Sequence, residues 1–341
     1  MNIAINGFGR IGRITMRALL QKEGVEILAI NDLTDTKTLA HLFKYDSVHG
    51  GFKGSVSSTD DQLLVNDKVI RVFAEKDPAR LPWKELDVDL VIEATGKFIT
   101  GTLAGLHLQA GAKQVIISAP SPDKEIPMVV LGVNDQSIDL NAAILSNASC
   151  TTNNVAAMVK VLDDNWGIVN GYITTIHSMT SDQNLHDAPH KDLRRARAAS
   201  ASIIPTTTGA AKAITNIFPH LDGKLGGAGI RVPVLNGSLT DFTCILKVKP
   251  TAEAINAAFK SASDGFLKGI LEYTSDPIVS VDILDNPHSC IFDSQLTSVV
   301  GELIKVVGWY DNEAGYSNRL ADLAIKIAEQ KHKGLKNQLV F

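Results

Sequence analysis

The chain has 341 residues, of which 45% are hydrophobic and 21% are charged, and its net charge at neutral pH is -4. This length is too great for one ordinary core and predicts two domains, while the small net charge gives no global case for binding nucleic acid or an anionic membrane. The apolar runs are too short to span a membrane, which argues against a membrane protein. The three cysteines are widely spaced and form no CxxC pair, which argues against a disulfide scaffold and a zinc site. We therefore expect a cytoplasmic protein without a bound metal.

The first third of the chain alternates short apolar runs with helical patterns. Ile3–Ile5 predicts a strand, Gly12–Gln21 a helix and Val25–Asn31 a second strand. Further buried strands are predicted at Leu90–Glu93 and Val115–Ser118, each followed by small or turn-forming residues. This alternation is typical of a parallel sheet with crossover helices. Because the chain opens on a strand and not on a basic region before a long apolar one, we expect no secretion signal.

A glycine motif lies between the first predicted strand and helix. Residues 7–12 read GFGRIG and match G-x-G-x-x-G. Such glycines allow a tight turn, close approach of a pyrophosphate and close helix–strand packing, with the phosphates at the helix N-terminus. Asp32 closes the second strand, where a carboxylate can accept hydrogen bonds from ribose hydroxyls and repel a 2′-phosphate, which favours NAD over NADP. The alternative is a structural glycine turn beside an N-capping aspartate.

A cysteine stands at the start of a helix predicted over Thr151–Asp164. Residues 149–153 read SCTTN, and the small polar residues are typical of an N-cap and a first turn. Backbone N–H groups and the helix dipole at that end favour a thiolate, so Cys150 is a candidate nucleophile. The alternative is a small core cysteine before an ordinary helix.

The second half of the chain has longer β-rich runs, at Tyr172–His177, Ile230–Pro233, Ser238–Val248 and Lys305–Trp309. They predict a mostly antiparallel sheet with helices on one face, and a domain boundary close to Ser149. His177 ends the first of these runs and enters a long polar segment, where a base for the cysteine would emerge. A surface or structural histidine remains the alternative.

Several motifs occur in one order along nearly the whole chain: GFGRIG at 7–12, SCTTN at 149–153, His177, DAPHKDLRR at 187–195, PTTTGAAK at 205–212, RVP at 231–233 and WYDNE at 309–313. Together they closely resemble the phosphorylating glyceraldehyde-3-phosphate dehydrogenases of bacterial type. The resemblance implies a Rossmann-type parallel-sheet domain over residues 1–149, joined by a C-terminal helix (within about 313–341, around Ser317–Gln330). An α+β catalytic domain with a mostly antiparallel sheet would cover residues 150–312. A homotetramer without nucleic-acid or membrane partners is also implied.

The resemblance further implies oxidation of D-glyceraldehyde 3-phosphate to 1,3-bisphosphoglycerate with NAD and inorganic phosphate. Cys150 would attack the aldehyde as a thiolate and form a thiohemiacetal. His177 would favour the thiolate by ion pairing and take the hydroxyl proton as hydride leaves. Phosphate would then attack the resulting thioester, while the Cys150 backbone N–H helps to hold the oxyanion.

Two anion sites and a set of cofactor contacts follow from the same resemblance. The site for the substrate phosphate would be formed by Thr180, Arg195 and Arg231, with Asp182 acting on the arginines or the cofactor. The site for the attacking phosphate would be formed by Ser149, Thr151, Thr208 and Gly209. The cofactor would contact Gly7, Gly9, Arg10, Ile11, Gly12, Asp32, Lys76, Ser118, Asn312 and Tyr316. The basic cluster over residues 191–197 could be read as a nucleic-acid patch, but it lacks interleaved aromatics, which favours anion binding and subunit contacts.

Two other functions are weighed against this one. Erythrose-4-phosphate dehydrogenase shares the fold, the cysteine and the histidine, and His288 and the segment 176–178 resemble that relative. Against it stands the full phosphorylating pattern over residues 206–212. The other alternative is a binding or regulatory protein that keeps the fold without turnover. Intact Cys150, His177 and Arg231 argue against it.

Overall fold

A computed structural model describes residues 1–338, with side chains for residues 1–332. The chain divides into two compact units. The first unit comprises Met1–Val129, Ser137–Ala148 and the chain from Ser317 onward, and the second comprises Val130–Gln136 and Ser149–Tyr316. These units are defined by packing, and the domain limits given above stay a prediction. Residues 339–341, which belong to the predicted C-terminal segment and to a tail without an assigned role, lie outside the described residues.

The first unit begins with alternating strands and helices. Its elements are β1 (Asn2–Asn6), α1 (Arg10–Leu19), β2 (Glu26–Asn31), α2 (Thr36–Lys44), β3 (Val56–Ser58), β4 (Gln62–Val65), β5 (Lys68–Phe73), β6 (Leu90–Glu93), α3 (Gly101–Gln109), β7 (Val115–Ile117) and β8 (Ile144–Ser146). Within the described residues they form an eight-stranded sheet in the order β3-β4-β5-β2-β1-β6-β7-β8.

The part of this sheet from β5 to β8 is parallel, and β3 and β4 add an antiparallel edge. All four residues of Leu90–Glu93 are buried, as expected of a strand covered on both faces of a parallel sheet. The predicted parallel sheet with crossover helices is confirmed. The carboxyl ends of β1, β2 and β6 meet side by side, because Asn6 is in register with both Asn31 and Glu93.

The second unit carries the other sheet. Its elements are α4 (Cys150–Trp166), β9 (Ile168–Ser178), β10 (Ile204–Thr206), α5 (Ala210–Ile217), β11 (Leu225–Val232), β12 (Ser238–Leu246), α6 (Ala252–Asp264), β13 (Leu271–Thr274), β14 (Cys290–Asp293), β15 (Ser298–Val300) and β16 (Leu303–Tyr310). The sheet order is β10-β11-β9-β12-β16-β14-β13, with β15 paired to β16.

Most neighbouring strands of the second sheet are antiparallel, as predicted; β9 with β11 and β13 with β14 are the parallel pairs among the described residues. Burial alternates residue by residue along β12, which is the pattern of a strand with one face on the core. The parallel pair β9 and β11 places His177 opposite Arg231 at the carboxyl ends of both strands. This register brings two of the predicted site residues together.

The last helix, α7 (Ala314–Gln338), begins earlier and ends later than the predicted Ser317–Gln330. It begins early because the Asp311 carboxylate accepts hydrogen bonds from the backbone N–H groups of Glu313 and Ala314, at 2.9 and 2.8 Å. Its later part belongs to the first unit, where Lys22 contacts Asp322 at 2.8 Å. Among the helices of the described chain, none is both long enough and apolar enough to span a membrane.

Candidate active site and cofactor cavity

The first unit contains a cavity of about 660 Å³ at the carboxyl ends of its parallel strands. It is lined by Asn6, Gly7, Gly9, Asn31, Asp32, Leu33, Glu75, Lys76, Ala94, Thr95, Lys97 and Phe98. Four of the predicted cofactor residues are therefore brought together: Gly7, Gly9, Asp32 and Lys76. Ligands of open parallel sheets bind at this edge, so the cavity is the candidate dinucleotide site.

The three glycines of the motif each meet a separate requirement. Gly7 has a φ of +91°, which a residue with a side chain rarely adopts. A Cβ on Gly12 would lie 2.2 Å from the carbonyl oxygen of Gly7, so only glycine lets the helix pack this closely. A Cβ on Gly9 would meet nothing within 4 Å, and the bare backbone there leaves room for a bulky anion. The loop therefore fits a pyrophosphate at the N-terminus of α1.

Asp32 also has a structural function in the glycine loop. Its carboxylate accepts hydrogen bonds from the backbone N–H of Phe8 at 2.8 Å and from that of Thr34 at 3.0 Å. It therefore ties the glycine loop to the end of β2. A carboxylate has about four acceptor sites, so two remain for ribose hydroxyls.

Sequence reasoning missed a group of polar residues that line the cavity or bond to its lining. Asn31 donates to the side-chain oxygen of Asn6 at 2.7 Å, and Asn6 donates to Glu93 at 2.5 Å. Glu93 also accepts from the backbone N–H of Thr95 at 2.8 Å. Their position in the sequence could have identified them, because Asn6 and Asn31 end parallel strands and Thr95 follows one, and ligands bind at that edge of a parallel sheet.

The other predicted cofactor residues are not among those that line this cavity. Arg10 makes a forked ion pair with Asp46, at 3.1 and 3.2 Å, and Ile11 is partly exposed in the first turn of α1. Ser118 follows β7, and its N–H donates to the carbonyl of Glu93 at 2.9 Å. Asn312 and Tyr316 belong to the second unit.

The candidate nucleophile begins α4. The Ser149 hydroxyl caps this helix by accepting a hydrogen bond from the backbone N–H of Thr152 at 3.1 Å. Ala148, just before the cap, has a φ of +56°, a conformation costly for alanine that turns the chain sharply into the helix. Cys150 is partly exposed, and its Sγ lies 3.5 Å from Nε2 of His177.

The pKa shifts of this pair run against the predicted ion pair. Desolvation by the packed surroundings raises the pKa of the Cys150 thiol, against the smaller lowering effects of the Arg231 charge and of hydrogen bonds from Thr151. Burial, helped by the Arg231 charge, lowers the pKa of His177 to about 3. Both shifts disfavour the predicted thiolate–imidazolium ion pair, which stays a prediction. The benefit of the helix N-terminus is smaller than the desolvation of the thiolate.

The raised pKa of the Cys150 thiol predicts how this residue reacts with an alkylating agent. Because the pKa of its thiol is raised, the thiolate fraction is small near pH 7 and grows as the pH rises. The rate of iodoacetamide labelling, followed by mass spectrometry of the Cys150 peptide, should increase steadily from pH 7 to pH 9. A rate that is already constant over this interval would contradict the raised pKa.

Tyr310, which lies in the WYDNE motif but was given no role from the sequence, fixes the nucleophile relative to the base. Its buried hydroxyl lies 2.9 Å from the hydroxyl of Thr151 on α4 and 2.8 Å from that of Thr175 on β9. Its ring stands edge-on to His177, with centroids 6.0 Å apart. Tyr310 thus connects the helix that carries Cys150 to the strand that carries His177. The hydroxyl of Thr151 already has a hydrogen-bond partner in Tyr310.

Arg231 contacts the base directly. Its Nη1 lies 2.6 Å from Nδ1 of His177 and 3.0 Å from the carbonyl oxygen of Ser178. That carbonyl oxygen is itself 2.8 Å from Nδ1. The register of β9 and β11 explains this contact between residues that are distant in the sequence.

The remaining residues of the first predicted anion site are joined through Asp182. Arg195 donates to its carboxylate at 2.7 Å and to the Thr206 hydroxyl at 3.0 Å, and the Thr180 hydroxyl donates to the same carboxylate. Partial burial favours the neutral acid, but the Thr180 hydroxyl and the neighbouring guanidinium groups lower the pKa of Asp182 overall. Asp182 therefore orients a cation and a hydroxyl and does not itself offer a place for an anion.

The second predicted anion site draws on the starts of two helices. Ser149 and Thr151 stand at the start of α4, and Thr208 and Gly209 precede α5. The Thr208 hydroxyl accepts from the backbone N–H of Ala210 at 3.2 Å, and a Cβ on Gly209 would meet nothing within 4 Å. Within the described chain, no hydrogen bond joins Ser149 or Thr151 to Thr208 or Gly209.

Asn312 is held with its amide in one orientation. Its side-chain oxygen accepts from the hydroxyls of Ser178 at 2.9 Å and Ser238 at 2.8 Å. Since Ser178 follows His177, the amide is linked to the end of the strand that carries the base. Tyr316 is buried in the first turns of α7.

Comparison with known proteins gives matches over both halves of the chain. Residues 1–101 match the family described as glyceraldehyde 3-phosphate dehydrogenase, NAD binding domain, and residues 149–312 match the C-terminal domain of the same family. A protein named glyceraldehyde-3-phosphate dehydrogenase from Streptomyces coelicolor is 55% identical over 334 residues, covering 97% of this chain and 99% of the relative. One of the same name from Mycobacterium avium is 55% identical over 336 residues, covering 96% and 99%. Glyceraldehyde-3-phosphate dehydrogenase 2 of Streptomyces avermitilis is 54% identical over 333 residues, covering 97% and 99%.

Proposed function

The chain belongs to the glyceraldehyde-3-phosphate dehydrogenase family, and on this premise we propose that it oxidises D-glyceraldehyde 3-phosphate with NAD and inorganic phosphate to 1,3-bisphosphoglycerate. The observation that carries the proposal is the thiol of Cys150 at the mouth of α4, 3.5 Å from Nε2 of His177. Erythrose-4-phosphate dehydrogenase and a non-catalytic protein are not favoured. Relatives that share more than half of the residues over nearly the whole chain are named for the glyceraldehyde 3-phosphate reaction.

The first covalent step forms a thiohemiacetal. The sulfur of Cys150 bonds to the aldehyde carbon, and the carbonyl π electrons move to the oxygen. The thiol proton passes through Nε2 of His177 to that oxygen, so the product is neutral at the former carbonyl. The backbone N–H of Cys150, unpaired within the helix at its N-terminus, supports the charge that develops on the oxygen.

The second step oxidises the thiohemiacetal to a thioester. Bound NAD would supply the hydride acceptor for this oxidation. Nε2 of His177 removes the hydroxyl proton, and the oxygen electrons form the carbonyl of the thioester. The amide of Asn312 is fixed by Ser178 and Ser238, and it would hold the carboxamide of the nicotinamide.

The third step releases the product. A phosphate oxygen bonds to the thioester carbon, the carbon–sulfur bond breaks, and the sulfur recovers its proton from His177. Ser149, Thr151, Thr208 and Gly209 hold the attacking phosphate, whereas Arg231, Arg195 and Thr180 hold the phosphate already on the substrate. Forked contacts from guanidinium groups suit a phosphate dianion.

Initial rates of NAD reduction with two aldehydes test the function. Glyceraldehyde 3-phosphate should give the higher kcat/KM, and steady-state turnover should depend on inorganic phosphate. The proposal fails if turnover is indifferent to phosphate. It also fails if erythrose 4-phosphate is the better substrate.

Thr208→Ala should separate the two halves of the reaction. Thr208 belongs to the site for the attacking phosphate, so its loss should slow thioester cleavage by about tenfold or more, the effect of one hydrogen bond to a charged group. Hydride transfer should change little, and stopped-flow absorbance should show an NADH burst followed by a slow steady state. Thr215→Ala, in the helix α5 that Thr208 precedes, is the matched control and should behave as the unmodified protein. Equal losses in burst and steady state would contradict this assignment.

Asp32 should set the preference between the two nicotinamide cofactors. Asp32→Asn removes the charge that repels a 2′-phosphate, and Asp32→Gly also removes the hydrogen bonds that hold the glycine loop. The ratio of kcat/KM for NAD to that for NADP should fall at least about tenfold in both, with weaker NAD binding in the glycine variant. Asp35→Asn, which alters the carboxylate that caps α2, is the control. Equal use of both cofactors by the unmodified protein would count against the assignment.

We further assign the enzyme to the cytoplasm as a homotetramer. All three cysteines are free thiols, which suits a reducing compartment, and the family resemblance supplies the tetramer. Light scattering coupled to size-exclusion chromatography should give about four times the chain mass of 36.6 kDa. A mass of one or two chains would refute the tetramer.

A further inference from the structure

We propose that Glu93 and His107 are positioning residues for dinucleotide binding. Both side chains are buried, and neither is among the residues that line the cofactor cavity. Glu93 holds two parts of the cavity wall in place, and His107 holds Glu93. The inference rests on the NAD-binding domain that the family match gives this chain, and not on the reaction proposed above.

The Glu93 carboxylate is surrounded by hydrogen-bond donors. Its Oε1 accepts from the backbone N–H of Thr95 at 2.8 Å and from the Thr95 hydroxyl. Its Oε2 accepts from the amide of Asn6 at 2.5 Å and lies 3.0 Å from Nε2 of His107. An ionised carboxyl group has acceptor sites on both oxygens and no donor, so it can satisfy all of these partners at once. An amide of the same shape would place its N–H groups against donors on one side.

One arm of this network reaches the wall that follows β6. The Thr95 hydroxyl donates to Glu93 and accepts from the backbone N–H of Lys97 at 3.1 Å. Thr95 and Lys97 both line the cavity. Glu93 therefore fixes the turn that follows its own strand.

The other arm crosses the ends of the neighbouring strands. The side-chain oxygen of Asn6 accepts from Asn31 at 2.7 Å, and Asn31 exchanges hydrogen bonds with the backbone of Glu75 at 2.8 and 2.9 Å. These three residues line the cavity. Because β6, β1, β2 and β5 are adjacent in this order, the arm connects Glu93 to the loop beyond β5. A wall that is ordered in advance does not have to be ordered when the ligand binds, which favours affinity.

His107, on α3, supports Glu93 with a hydrogen whose position the structure defines. The indole N–H of Trp83 lies 3.0 Å from Nδ1 of His107 and is the one hydrogen-bond partner of Nδ1 among the described residues. An indole N–H only donates, so Nδ1 accepts and the ring carries a hydrogen on Nε2, the atom that faces Glu93. The Asn6 amide, 3.3 Å from the same Nε2, donates to Glu93. Loss of the Nε2–H would leave the buried carboxylate without one of its donors.

ADP-ribose tests this role, because it is the dinucleotide without the nicotinamide and its binding needs no turnover. In calorimetric titrations Glu93→Gln and His107→Asn should bind it about tenfold or more weakly, the effect of a lost hydrogen bond to a charged group. Asparagine is too short to place its amide where Nε2 stood. Glutamine can place an amide N–H there, so His107→Gln should stay within about threefold of the unmodified protein.

Gln114→Leu is the matched control for a loss of buried hydrogen bonds. Gln114 is buried in the same unit and donates to the carbonyls of Leu140 and Ala142, at 2.7 and 2.9 Å, but it does not line the cavity. Its variant should lower Tm and keep the affinity for ADP-ribose. The proposal is overturned if His107→Asn keeps that affinity, or if Gln114→Leu and His107→Gln lose it to the same extent as His107→Asn. This comparison decides the matter even if Glu93→Gln does not fold.

Kinetics give a second readout. Neither Glu93 nor His107 touches a reacting atom, so in His107→Asn the KM for NAD should rise while kcat at saturating NAD changes by less than about twofold. A lower kcat with an unchanged KM would contradict the positioning role. If the unmodified protein failed to oxidise glyceraldehyde 3-phosphate, the proposed function would fail, and the ADP-ribose titrations would still decide the role of Glu93 and His107.

Discussion

Replacing Cys150 by serine should reduce the oxidation of glyceraldehyde 3-phosphate to below detection, with folding and NAD binding nearly intact. The reaction needs an atom that forms a bond to the aldehyde carbon and later leaves it. A serine hydroxyl at the same place stays protonated near neutral pH, and a thioester could not form. The side chain is small and partly exposed, so the substitution creates no cavity in the core.

The measurement is the NADH burst in a single turnover, with NAD binding followed by fluorescence titration. Cys244→Ala is the matched control, because Cys244 is buried in β12 and burial raises the pKa of its thiol to about 12. That variant should keep the burst of the unmodified protein. Stoichiometric alkylation of Cys150 with full retained activity would disprove the role of its sulfur.

The fold could be predicted where the local pattern reflects burial. The run Leu90–Glu93 has the bounds that were predicted, because a strand buried on both faces is apolar throughout. The start of α1 differs by two residues from the prediction, since Gly9 caps it with backbone alone and leaves no side-chain signal. The hydrophobic patterns therefore identified the strands and helices correctly, but they located the first and last residues of these elements less accurately.

The cofactor cavity shows the same division. The glycine motif and Asp32 could be recognised because their requirements are local: a tight turn, a close backbone contact and a carboxylate at a strand end. Asn6 and Asn31 were missed because their function depends on which strands are neighbours. Strand order is a property of the tertiary fold, and the sequence of a single segment does not reveal it.

The active site was predicted as a set of residues, but not as a set of contacts. Cys150 and His177 could be proposed from their positions at a helix start and a strand end. The contact between Arg231 and His177 comes from the parallel register of β9 and β11. The raised pKa of Cys150 comes from desolvation by burial, which depends on the packing of the whole site. Local helix chemistry predicted the opposite direction, because burial was absent from that argument.

His177→Asn should lower the rate of oxidation by roughly 10²–10⁴-fold, the usual contribution of a positioned acid–base group. Asparagine preserves much of the shape and the polarity of the ring, but it cannot accept a proton from the thiohemiacetal hydroxyl. Hydride transfer then has to wait for a proton acceptor from water. The burst itself should slow, and raising the pH should recover part of the rate, because hydroxide can replace the missing base.

The neutral state of His177 gives this variant a second readout. Because burial and the Arg231 charge lower the pKa of His177, we expect a neutral ring near pH 7, whose removal deprives Cys150 of no cation. The rate of alkylation of Cys150 at pH 7 should therefore change by less than about threefold, far below the loss in turnover. An ion pair would instead make the two rates fall together. His220→Asn, at an exposed histidine that pairs with Asp163, is the control and should retain both rates. A burst in His177→Asn as fast as that of the unmodified protein would remove His177 from the acid–base step.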